Sequence, residues 1–467
     1  MTEPVIVIGA GPGGLAAATT LARAGAPVRL LDEQPAAGGQ LYRASERIGG
    51  DATSPLKGWL GPDYGAGLPL IRAAQAEANI DWRFDTAVWD IRCDDDGIAL
   101  GLLSGESVFQ DRAAHVVLAT GAQERPAPFP GWTLPGVLGI GAAQTLFKDA
   151  GLAPEPDVVL AGSGPLLYLF AIQLLNAGIT PQAILETAPK NIAPSILPAL
   201  FRAALRHGSS LVKGLAWRRR IDGSSVPHLY GITDLKAAGD GRVETVSFRH
   251  GGREHTLKTS LLLVHDGVMP NTHLTVAARC DHQWNDQQQY WHPTVDAVGR
   301  TSQAGLWLVG DGAGILGAEA AVLQGRTAGR ALAADLGLTP PDAGTDAADR
   351  KALDDLRVLR AFLDRQYPPS PVFGAIADDT IVCRCEAVTA GEIRGLARRG
   401  CMGPNQARAF TRAGMGPCMG RQCGNSVGRL MAEELGQPVD QVGHYSARPP
   451  IKPVTLAQLA SLAGKER

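Results

Sequence analysis

The stretch Val5-Ile6-Val7-Ile8-Gly9-Ala10-Gly11-Pro12-Gly13-Gly14 runs from four apolar residues into the pattern Gly-x-Gly-x-x-Gly. Such an apolar run is typical of a buried parallel strand, and the small residues at 15–22 suit a helix packed closely on a sheet. Gly9 would make the tight turn, Gly11 would let the backbone approach a pyrophosphate, and Gly14 would let helix and strand close up. The stretch therefore predicts a dinucleotide site with the phosphates at a helix N-terminus.

A second apolar strand at residues 28–31 leads into Asp32 and Glu33. In dinucleotide-binding folds, a carboxylate about twenty residues beyond the glycines accepts hydrogen bonds from ribose hydroxyl groups. The alternative is a glycine-rich turn without a ligand. The order of strand, turn, helix and acid favours a bound dinucleotide.

Composition restricts the class of protein. The chain has 467 residues, a net charge of -2 and 19% charged residues, so neither nucleic acid nor an anionic membrane surface is an expected partner. Its length accommodates about three domains. The first strand begins close to Met1, and no apolar run reaches the roughly 18 residues of a membrane helix. We therefore expect a soluble, cytoplasmic protein without a signal peptide.

Three further segments repeat the pattern of a strand or turn that ends in small residues. They are Gly38-Gly39-Gln40-Leu41, the strand ending in Ala119-Thr120-Gly121, and the strand ending in Gly310-Asp311, which a helix follows at Glu319-Ala320. Asp311 would bind the ribityl chain of a flavin, with the helix N-terminus facing the pyrimidine end of the ring. The alternative is that Asp311 caps the helix. Residues 44–67 lack periodicity and predict a surface loop in preference to a lid.

A second strand–glycine–helix unit begins at Asp157 and contains Gly162-Ser163-Gly164. Leu167 occupies the third glycine position, where its side chain would hold the helix away from the strand. Glu186 lies where a ribose-binding acid would. NAD(P) or another nucleotide in this unit stays open, but we favour a repeated fold unit retained for its packing.

Four cysteines form two closely spaced pairs, Cys383-x-Cys385 and Cys418-x4-Cys423. Four thiolates from two loops suit either tetrahedral zinc or a 2Fe-2S cluster. The single residue between Cys383 and Cys385 counts against zinc, and glycines beside both pairs would let amide groups approach cluster sulfides. The pattern favours a 2Fe-2S cluster. Cys401 lies outside both pairs and is predicted not to be a ligand.

Together, the glycine motif with Asp32, the Gly39-Gln40 turn, Thr120-Gly121 and Gly310-Asp311 resemble the flavoprotein disulfide reductase superfamily with two dinucleotide domains. The resemblance implies bound FAD, and it places Val88 on the adenine-contacting strand. Cys93 and Cys280 are solitary in the sequence, so a dithiol relay is not expected. The implied FAD-binding residues are Gly9, Gly11, Pro12, Gly14, Asp32, Glu33, Gly39, Gln40, Leu41, Val88, Thr120, Gly121, Gly310, Asp311, Glu319 and Ala320.

The cysteine segment resembles the bacterioferritin-associated-ferredoxin-like (BFD-like) 2Fe-2S domain. The full order of motifs, with residues 31–35, 130–137, 412–416 and 448–453, resembles one narrower group. That group comprises the A or α subunits of opine oxidases and of D-hydroxyproline and proline dehydrogenases, and the B subunit of hydrogen cyanide synthase.

The resemblance implies an α/β fold with two Rossmann-like dinucleotide-binding domains and a small C-terminal α-helical 2Fe-2S domain. The FAD-binding domain would comprise residues 1–150 and 266–335, with an inserted NAD(P)-type domain at 151–265. A helical linker would occupy 336–375. The BFD-like domain and a tail would occupy 376–467.

The resemblance also implies a subunit that relays electrons, while a partner of the amino-acid-oxidase type removes hydride from a carbon next to an amine. The motifs show no catalytic base or nucleophile, so no catalytic residue is assigned. Implied cofactors are FAD and a 2Fe-2S cluster, with FMN at a partner interface as a further option. The arrangement is also compatible with peripheral association with a membrane electron-transfer chain and with a small ferredoxin-like subunit.

Three other functions stay open at this point. The first is an NAD(P)H-dependent reductase that feeds its own cluster, against which Leu167 argues. The second is a component of cyanide-forming glycine oxidation, which shares the motifs. The third is a redox-sensing binding protein in which the cluster regulates an interaction.

Overall fold

The computed structural model describes residues 3–51 and 53–462, so the last five residues of the predicted domain 376–467 lie outside it. Two five-stranded parallel sheets, two three-stranded antiparallel sheets (residues 86–113 and 233–258) and a small helical domain make up most of the architecture. This arrangement confirms the predicted α/β class. Among the described residues, no helix combines the length and the apolar character needed to cross a bilayer.

The amino-terminal part of the chain supplies most of the first sheet. Its elements are β1 (Val5–Ile8), α1 (Pro12–Arg23), β2 (Val28–Leu31), α2 (Ser45–Gly50), α3 (Leu56–Leu60), α4 (Gly67–Gln75), β3 (Ile80–Arg83), β4 (Thr86–Asp94), β5 (Gly97–Ser104), β6 (Ser107–Ala113), β7 (Val116–Leu118), β8 (Ala122–Glu124), β9 (Val137–Gly139) and α5 (Ile140–Ala150).

The middle of the chain builds the second sheet and then returns to the first. Its elements are β10 (Val159–Gly162), α6 (Pro165–Asn176), β11 (Ala183–Glu186), α7 (Leu197–Asp222), β12 (His228–Tyr230), β13 (Thr233–Ala238), β14 (Thr245–His250), β15 (Arg253–Lys258), β16 (Leu262–His265), β17 (Val268–Pro270), α8 (His273–Ala277), β18 (His282–Asn285), β19 (Tyr290–Pro293), β20 (Leu306–Leu308) and α9 (Ala318–Asp335).

The rest of the chain is largely helical. It comprises α10 (Asp346–Gln366), α11 (Pro371–Gly374), β21 (Ile381–Cys383), β22 (Val388–Thr389), α12 (Ala390–Arg398), α13 (Pro404–Thr411), α14 (Gly424–Leu435), α15 (Val439–Val442) and α16 (Leu456–Ala460). Short 3-10 helices occur at Pro62–Ala66, Pro194–Ile196, Gly310–Gly312 and Ala343–Thr345.

The first sheet has the strand order β20-β7-β1-β2-β3, and every pair in it is parallel. All four residues of β1 are buried, as its apolar run predicts. Helix α1 packs on α9, where a Cβ on Gly325 would overlap the carbonyl oxygen of Gly13. Small residues therefore bring α1 and α9 into backbone contact.

The second sheet has the order β12-β11-β10-β16-β9, again all parallel. Strand β9 and helix α5 precede residue 151, yet β9 pairs with β16 and Phe147 of α5 lies in the core of the second sheet. The division at 150/151 stays a prediction. The structure adds the segment 137–150 to the second unit.

The segment 44–67, predicted as a surface loop, instead contains α2 and α3. Ile48, Leu56 and Leu60 are buried in the core that includes Phe147 and Phe170 of the second unit. Three apolar anchors without regular spacing produce no periodic signal in the sequence. They nevertheless attach this segment to the second sheet.

The tight turn after β1 leads to a first prediction. A Cβ on Gly14 would overlap the backbone carbonyl oxygen of Gly9, and neither group can move without opening the turn. We expect Gly14→Ala to destabilise the first unit by about 3 kcal/mol and to lower the midpoint of thermal unfolding of the purified chain. Gly58→Ala is the matched control, because nothing lies within 4 Å of its added Cβ. Equal midpoints for Gly14→Ala and the parent would contradict this account.

Candidate cofactor-binding sites

The carboxyl ends of four parallel strands meet at one edge of the first sheet. Ile8 is paired in register with Leu31 and with Leu118, and Leu118 with Leu308. Each strand ends in one of the predicted motifs, so the sheet brings those motifs together. In open α/β sheets, ligands bind at this edge.

Bare backbone lines the space after β1. Gly11 is the N-cap residue of α1, which has neither a side-chain cap nor an acidic residue in its first turn. Gly39, with φ of +59°, faces it so closely that an added Cβ would lie 2.9 Å from the Cα of Gly11. An uncapped helix N-terminus bordered by two glycine backbones fits the pyrophosphate of a dinucleotide.

Asp32 lies at the end of β2 and is held by backbone groups. Its Oδ2 accepts a hydrogen bond from the Ala10 amide at 2.6 Å, and its Oδ1 accepts one from Gln34 at 2.8 Å. Burial raises the pKa of Asp32. A carboxylate offers about four acceptor positions, so both oxygens retain capacity for ribose hydroxyl groups. Neighbouring Glu33 is exposed and forms an ion pair with Lys452.

Asp311 orders the turn before α9 but does not cap the helix, whose N-cap residue Gly317 has no side-chain cap. The Oδ1 of Asp311 accepts hydrogen bonds from the amides of Leu316 and Gly317, each at 2.8 Å, which fixes the turn before α9. Within the described part of the chain, its Oδ2 accepts none. One oxygen therefore holds the helix entry, and the other is available for a ribityl hydroxyl. Thr120 is close by, 3.4 Å from a Cβ built on Gly312.

Three further predicted FAD-binding residues differ in their burial near the carboxyl edge of the first sheet. Val88 is buried in a core with Ile8 and Leu31, next to the end of β2. Glu319 is exposed at the first turn of α9. The Ala320 side chain packs against the linker helix α10, so only its backbone can serve a cofactor.

Sequence reasoning missed Lys148, which holds the turn containing Gln40 and Leu41. Its Nζ donates to their carbonyl oxygens at 3.1 and 3.0 Å and to Oε1 of Gln144. Burial lowers the pKa of Lys148 to about 8. A single lysine in the amphipathic helix α5 gives no signal in the sequence, because its partners are backbone atoms about a hundred residues away.

In the second unit, the carboxylate of Glu186 is hydrogen-bonded to side chains of the same unit. Glu186 is buried and accepts hydrogen bonds from the Tyr168 hydroxyl, 2.7 Å from each carboxylate oxygen, and from Nε2 of His228 at 2.9 Å. Leu167 is fully buried at the third glycine position. A ribose could reach Glu186 only by displacing these partners. The residues do not fit a nicotinamide dinucleotide, and this favours the packing role predicted for the unit.

His265 closes the glycine turn of that unit. Its carbonyl oxygen would overlap a Cβ on Gly162, and its buried ring forms a 2.7 Å hydrogen bond through Nδ1 with Oε1 of Glu124. These contacts favour the structural role predicted for His265.

The four predicted cluster cysteines converge in the C-terminal domain. Cys383 ends β21, Cys385 follows it, and Cys418 and Cys423 lie on the loop before α14. The thiols of Cys383 and Cys423 hydrogen-bond to each other, as do those of Cys385 and Cys418. Two pairs of thiols on facing loops provide the donor set that a two-iron cluster requires.

The electrostatics of the cluster site favour deprotonation at one thiol. The hydrogen bond with Cys423 lowers the pKa of Cys383 to about 6, with help from the backbone amides of Gly414 and Glu386. The same bond raises the pKa of Cys423. Amides aimed at a thiolate are the environment in which cysteines act as metal ligands. Cys401 is buried in the same domain core as Cys383 and Cys423 but belongs to neither pair of thiols.

Tyr445, also missed in the sequence, packs under the cluster loop. Its ring fills the space left by Gly414, Gly420 and Gly424, where an added Cβ would lie 2.8 to 3.1 Å from ring carbons. Burial, followed by the nearby Cys423, raises the pKa of the Tyr445 phenol. The glycines that bracket the cysteines therefore also make room for an aromatic support.

The two sites are joined by direct hydrogen bonds. Gln123, two residues after the Thr120-Gly121 motif, donates from Nε2 to the carbonyl oxygen of Arg421 at 2.9 Å. His273 donates from Nε2 to the carbonyl oxygen of Met419 at 2.9 Å, and burial lowers its pKa to about 4. His273 is therefore neutral at pH 7. The strand end on the flavin side contacts the loop that carries Cys418 and Cys423.

A small cleft of about 80 Å³ opens along this junction. Its lining includes Gln123, His273, Trp291, Arg421 and Tyr445. The cleft therefore lies beside the two hydrogen bonds and is lined by polar and aromatic groups of both the first unit and the C-terminal domain.

Cys93 and Cys280 lie close together in the structure, although they are solitary in the sequence. Cys93 is paired with Ile98, whose side chain reaches Gly305 at the start of β20. They are therefore at the sheet edge opposite the motifs. No dithiol faces the dinucleotide site among the described residues.

Comparison with known proteins identifies both parts of the chain. Residues 3–325 match the family model described as pyridine nucleotide-disulphide oxidoreductase. Residues 381–433 match the BFD-like [2Fe-2S] binding domain. Together with the fold, these matches establish FAD and a 2Fe-2S cluster as the cofactors.

Similar proteins cover almost the entire chain. The A subunit of opine oxidase from Agrobacterium tumefaciens (strain Ach5) is 41% identical, over 98% of this chain and 91% of the relative. The hydrogen cyanide synthase component HcnB of Pseudomonas aeruginosa is 32% identical, over 98% of each chain. The crystal structure of L-proline dehydrogenase from P. horikoshii superimposes with a TM-score of 0.71 at 19% identity, over 98% of this chain and 79% of that one.

The pairing of the thiols leads to a second prediction. Cys418→Ser removes one of the four predicted ligands, so we expect the purified protein to lose the visible absorbance and the iron and sulfide of the cluster while it retains FAD. Cys401→Ser is the matched control: it replaces a buried cysteine of the same domain outside both pairs. A full complement of iron in Cys418→Ser, or its loss in Cys401→Ser, would refute the proposed ligand set.

Proposed function

The chain belongs to the pyridine nucleotide-disulphide oxidoreductase family and carries a BFD-like [2Fe-2S] binding domain; from this premise we propose that it is the electron-transfer subunit of a heteromeric dehydrogenase acting on CH-NH bonds. The substrate class is a secondary amine of the opine, D-hydroxyproline or proline type. A flavoprotein partner of the amino-acid-oxidase type oxidises that amine.

The observation that carries this proposal is the contact between the two sites. The hydrogen bonds from Gln123 and His273 to the carbonyl oxygens of the cluster loop leave no solvent layer at these points. A bound flavin can accept electrons in pairs and release them one at a time, and a 2Fe-2S cluster carries them singly. A chain that binds FAD and a 2Fe-2S cluster on the two sides of one interface is suited to pass electrons between them.

We propose the following division of roles among the chain's own residues. Gly11 and Gly39 present backbone to the pyrophosphate, Asp32 accepts from the ribose, and Asp311 accepts from the ribityl chain. The N-terminus of α9, which has no side-chain cap, would stabilise negative charge on a flavin bound at this edge. The proposed cluster ligands are Cys383, Cys385, Cys418 and Cys423.

The need for a partner is supported by what the second unit does with its polar groups. Because Tyr168 and His228 hydrogen-bond to Glu186, the second unit offers no fitted site for NAD(P)H as an electron source among the residues that the structure describes. The described residues also bring no dithiol to the flavin edge. Electrons are therefore expected to arrive from another polypeptide, as the subunit names of the relatives suggest for those proteins. FMN at that interface stays a prediction.

Glycine oxidation to cyanide is the second candidate, favoured by the 32% identity to HcnB. The higher identity to the A subunit of opine oxidase favours opine-type substrates. Both candidates need the same relay in this chain. The difference between them lies in the partner that binds the substrate.

A third prediction tests the source of electrons. We expect the complex co-purified with its neighbouring gene products to reduce an artificial acceptor when supplied with an opine or an imino acid, in a screen that also includes D-amino acids and glycine. NADH or NADPH alone should leave the flavin spectrum oxidised under anaerobic conditions. Rapid flavin bleaching by NADH would instead establish the self-sufficient reductase. If glycine were the one substrate in the screen that supports turnover, the cyanide-forming activity would be favoured instead.

A fourth prediction tests the interface. Gln123→Leu keeps the side-chain size but removes the donor to Arg421, so we expect flavin-to-cluster electron transfer to slow several-fold in stopped-flow absorbance. FAD and iron contents should be unchanged. Gln110→Leu, on an exposed position of β6, provides the control. An unchanged transfer rate in Gln123→Leu would show that this contact does not contribute to the relay.

A further inference from the structure

The segment after α15 connects the two cofactor sites. Tyr445 packs under the cluster loop, and Ile451, six residues later, reaches the first sheet. We refer to residues 445–453 as the tail. Its sequence, which includes Arg448-Pro449-Pro450-Ile451-Lys452-Pro453, has no role in the electron relay proposed above.

Ile451 anchors the tail beside the strand predicted to contact adenine. Its amide donates to the carbonyl oxygen of Trp89 at 2.8 Å. The β4–β5 ladder changes register between Val88 and Asp90, so Trp89 lacks a partner residue there and its carbonyl serves the tail. The Ile451 side chain is 2% exposed and belongs to the core of the first sheet. This is an internal contact rather than loose surface packing.

Lys452 then places a cation at the end of β2. Its Nζ forms an ion pair with the carboxylate of Glu33. Burial lowers the pKa of Lys452, while the charge of Asp32 opposes that shift. The ammonium group therefore lies beside both carboxylates of the ribose-binding motif. It neutralises Glu33 and leaves Asp32 to accept from the ligand.

We propose that the tail is a latch over the adenosine end of the FAD site, with Lys452 as an additional positioning residue for the dinucleotide. The inference rests on the proposed placement of FAD at Asp32. The latch is held closed by the Ile451–Trp89 hydrogen bond and by the Lys452–Glu33 ion pair. FAD leaves only after this segment lifts. Because the same segment supports the cluster loop through Tyr445, it ties FAD retention to the C-terminal domain.

The test measures FAD release from the full-length holoprotein. After a large dilution into flavin-free buffer, the rise of free FAD fluorescence gives the dissociation rate constant. We expect Lys452→Ala to release FAD about tenfold faster, because the ion pair with Glu33 and the cation beside the buried carboxylate of Asp32 are both lost. Lys452→Arg should restore slow release. Lys258→Ala, on the exposed face of β15, should release FAD at the parental rate.

A second variant tests whether the segment itself, and not only the charge of Lys452, slows FAD release. Ile451→Ala, which weakens the anchor without altering Glu33 or Asp32, should also accelerate release while iron content stays at the parental level. Parental release rates in both Lys452→Ala and Ile451→Ala would overturn the latch. A parent protein that contains no FAD at all would instead refute the FAD placement on which the latch rests.

Discussion

Close backbone approach at the carboxyl edge of the first sheet is the constraint on which the structure depends. The turn after β1 closes only because Gly14 has no side chain, since a Cβ there would overlap the carbonyl oxygen of Gly9. Helix α1 is thereby pressed on the sheet with its uncapped N-terminus at the edge. Every other motif meets that edge from a parallel strand or from a turn beside it. The cofactor site follows from this packing and requires few dedicated side chains.

A buried charged junction holds the domains in their relative positions. Arg125 is buried and donates to the carbonyl oxygens of Asp266, Gln288 and Gln289. Asp266 in turn accepts from the amide of Ser370 in the linker, and burial raises its pKa to about 6. Burying a charge is costly unless it is paired and hydrogen-bonded. The network thus connects the residue after β8 with the end of β16, the loop before β19 and the linker at Ser370.

Local sequence patterns predicted the sites better than they predicted the connections between them. The glycine motif, Asp32 and the two cysteine pairs each carry a physical requirement within a few residues, and the structure brings each set together. Lys148 and Tyr445 were missed because their partners are backbone atoms or glycines far along the chain. The segment 44–67 was misjudged for a related reason, since its burial depends on the second sheet and not on its own periodicity.

The second unit shows why a motif must be judged by what its polar atoms contact. Its glycine turn and Glu186 reproduce the sequence pattern of the first unit, yet Tyr168 and His228 satisfy the carboxylate internally. In the first unit, the hydrogen bonds that the Asp32 carboxylate accepts within the described ranges 3–51 and 53–462 come from backbone amides, at 2.6 and 2.8 Å. Backbone donors orient a carboxylate and leave its outer acceptor positions open. Side-chain donors that bury the carboxylate remove that capacity. The same fold unit can therefore serve as a binding site in one copy and as a packing element in the other.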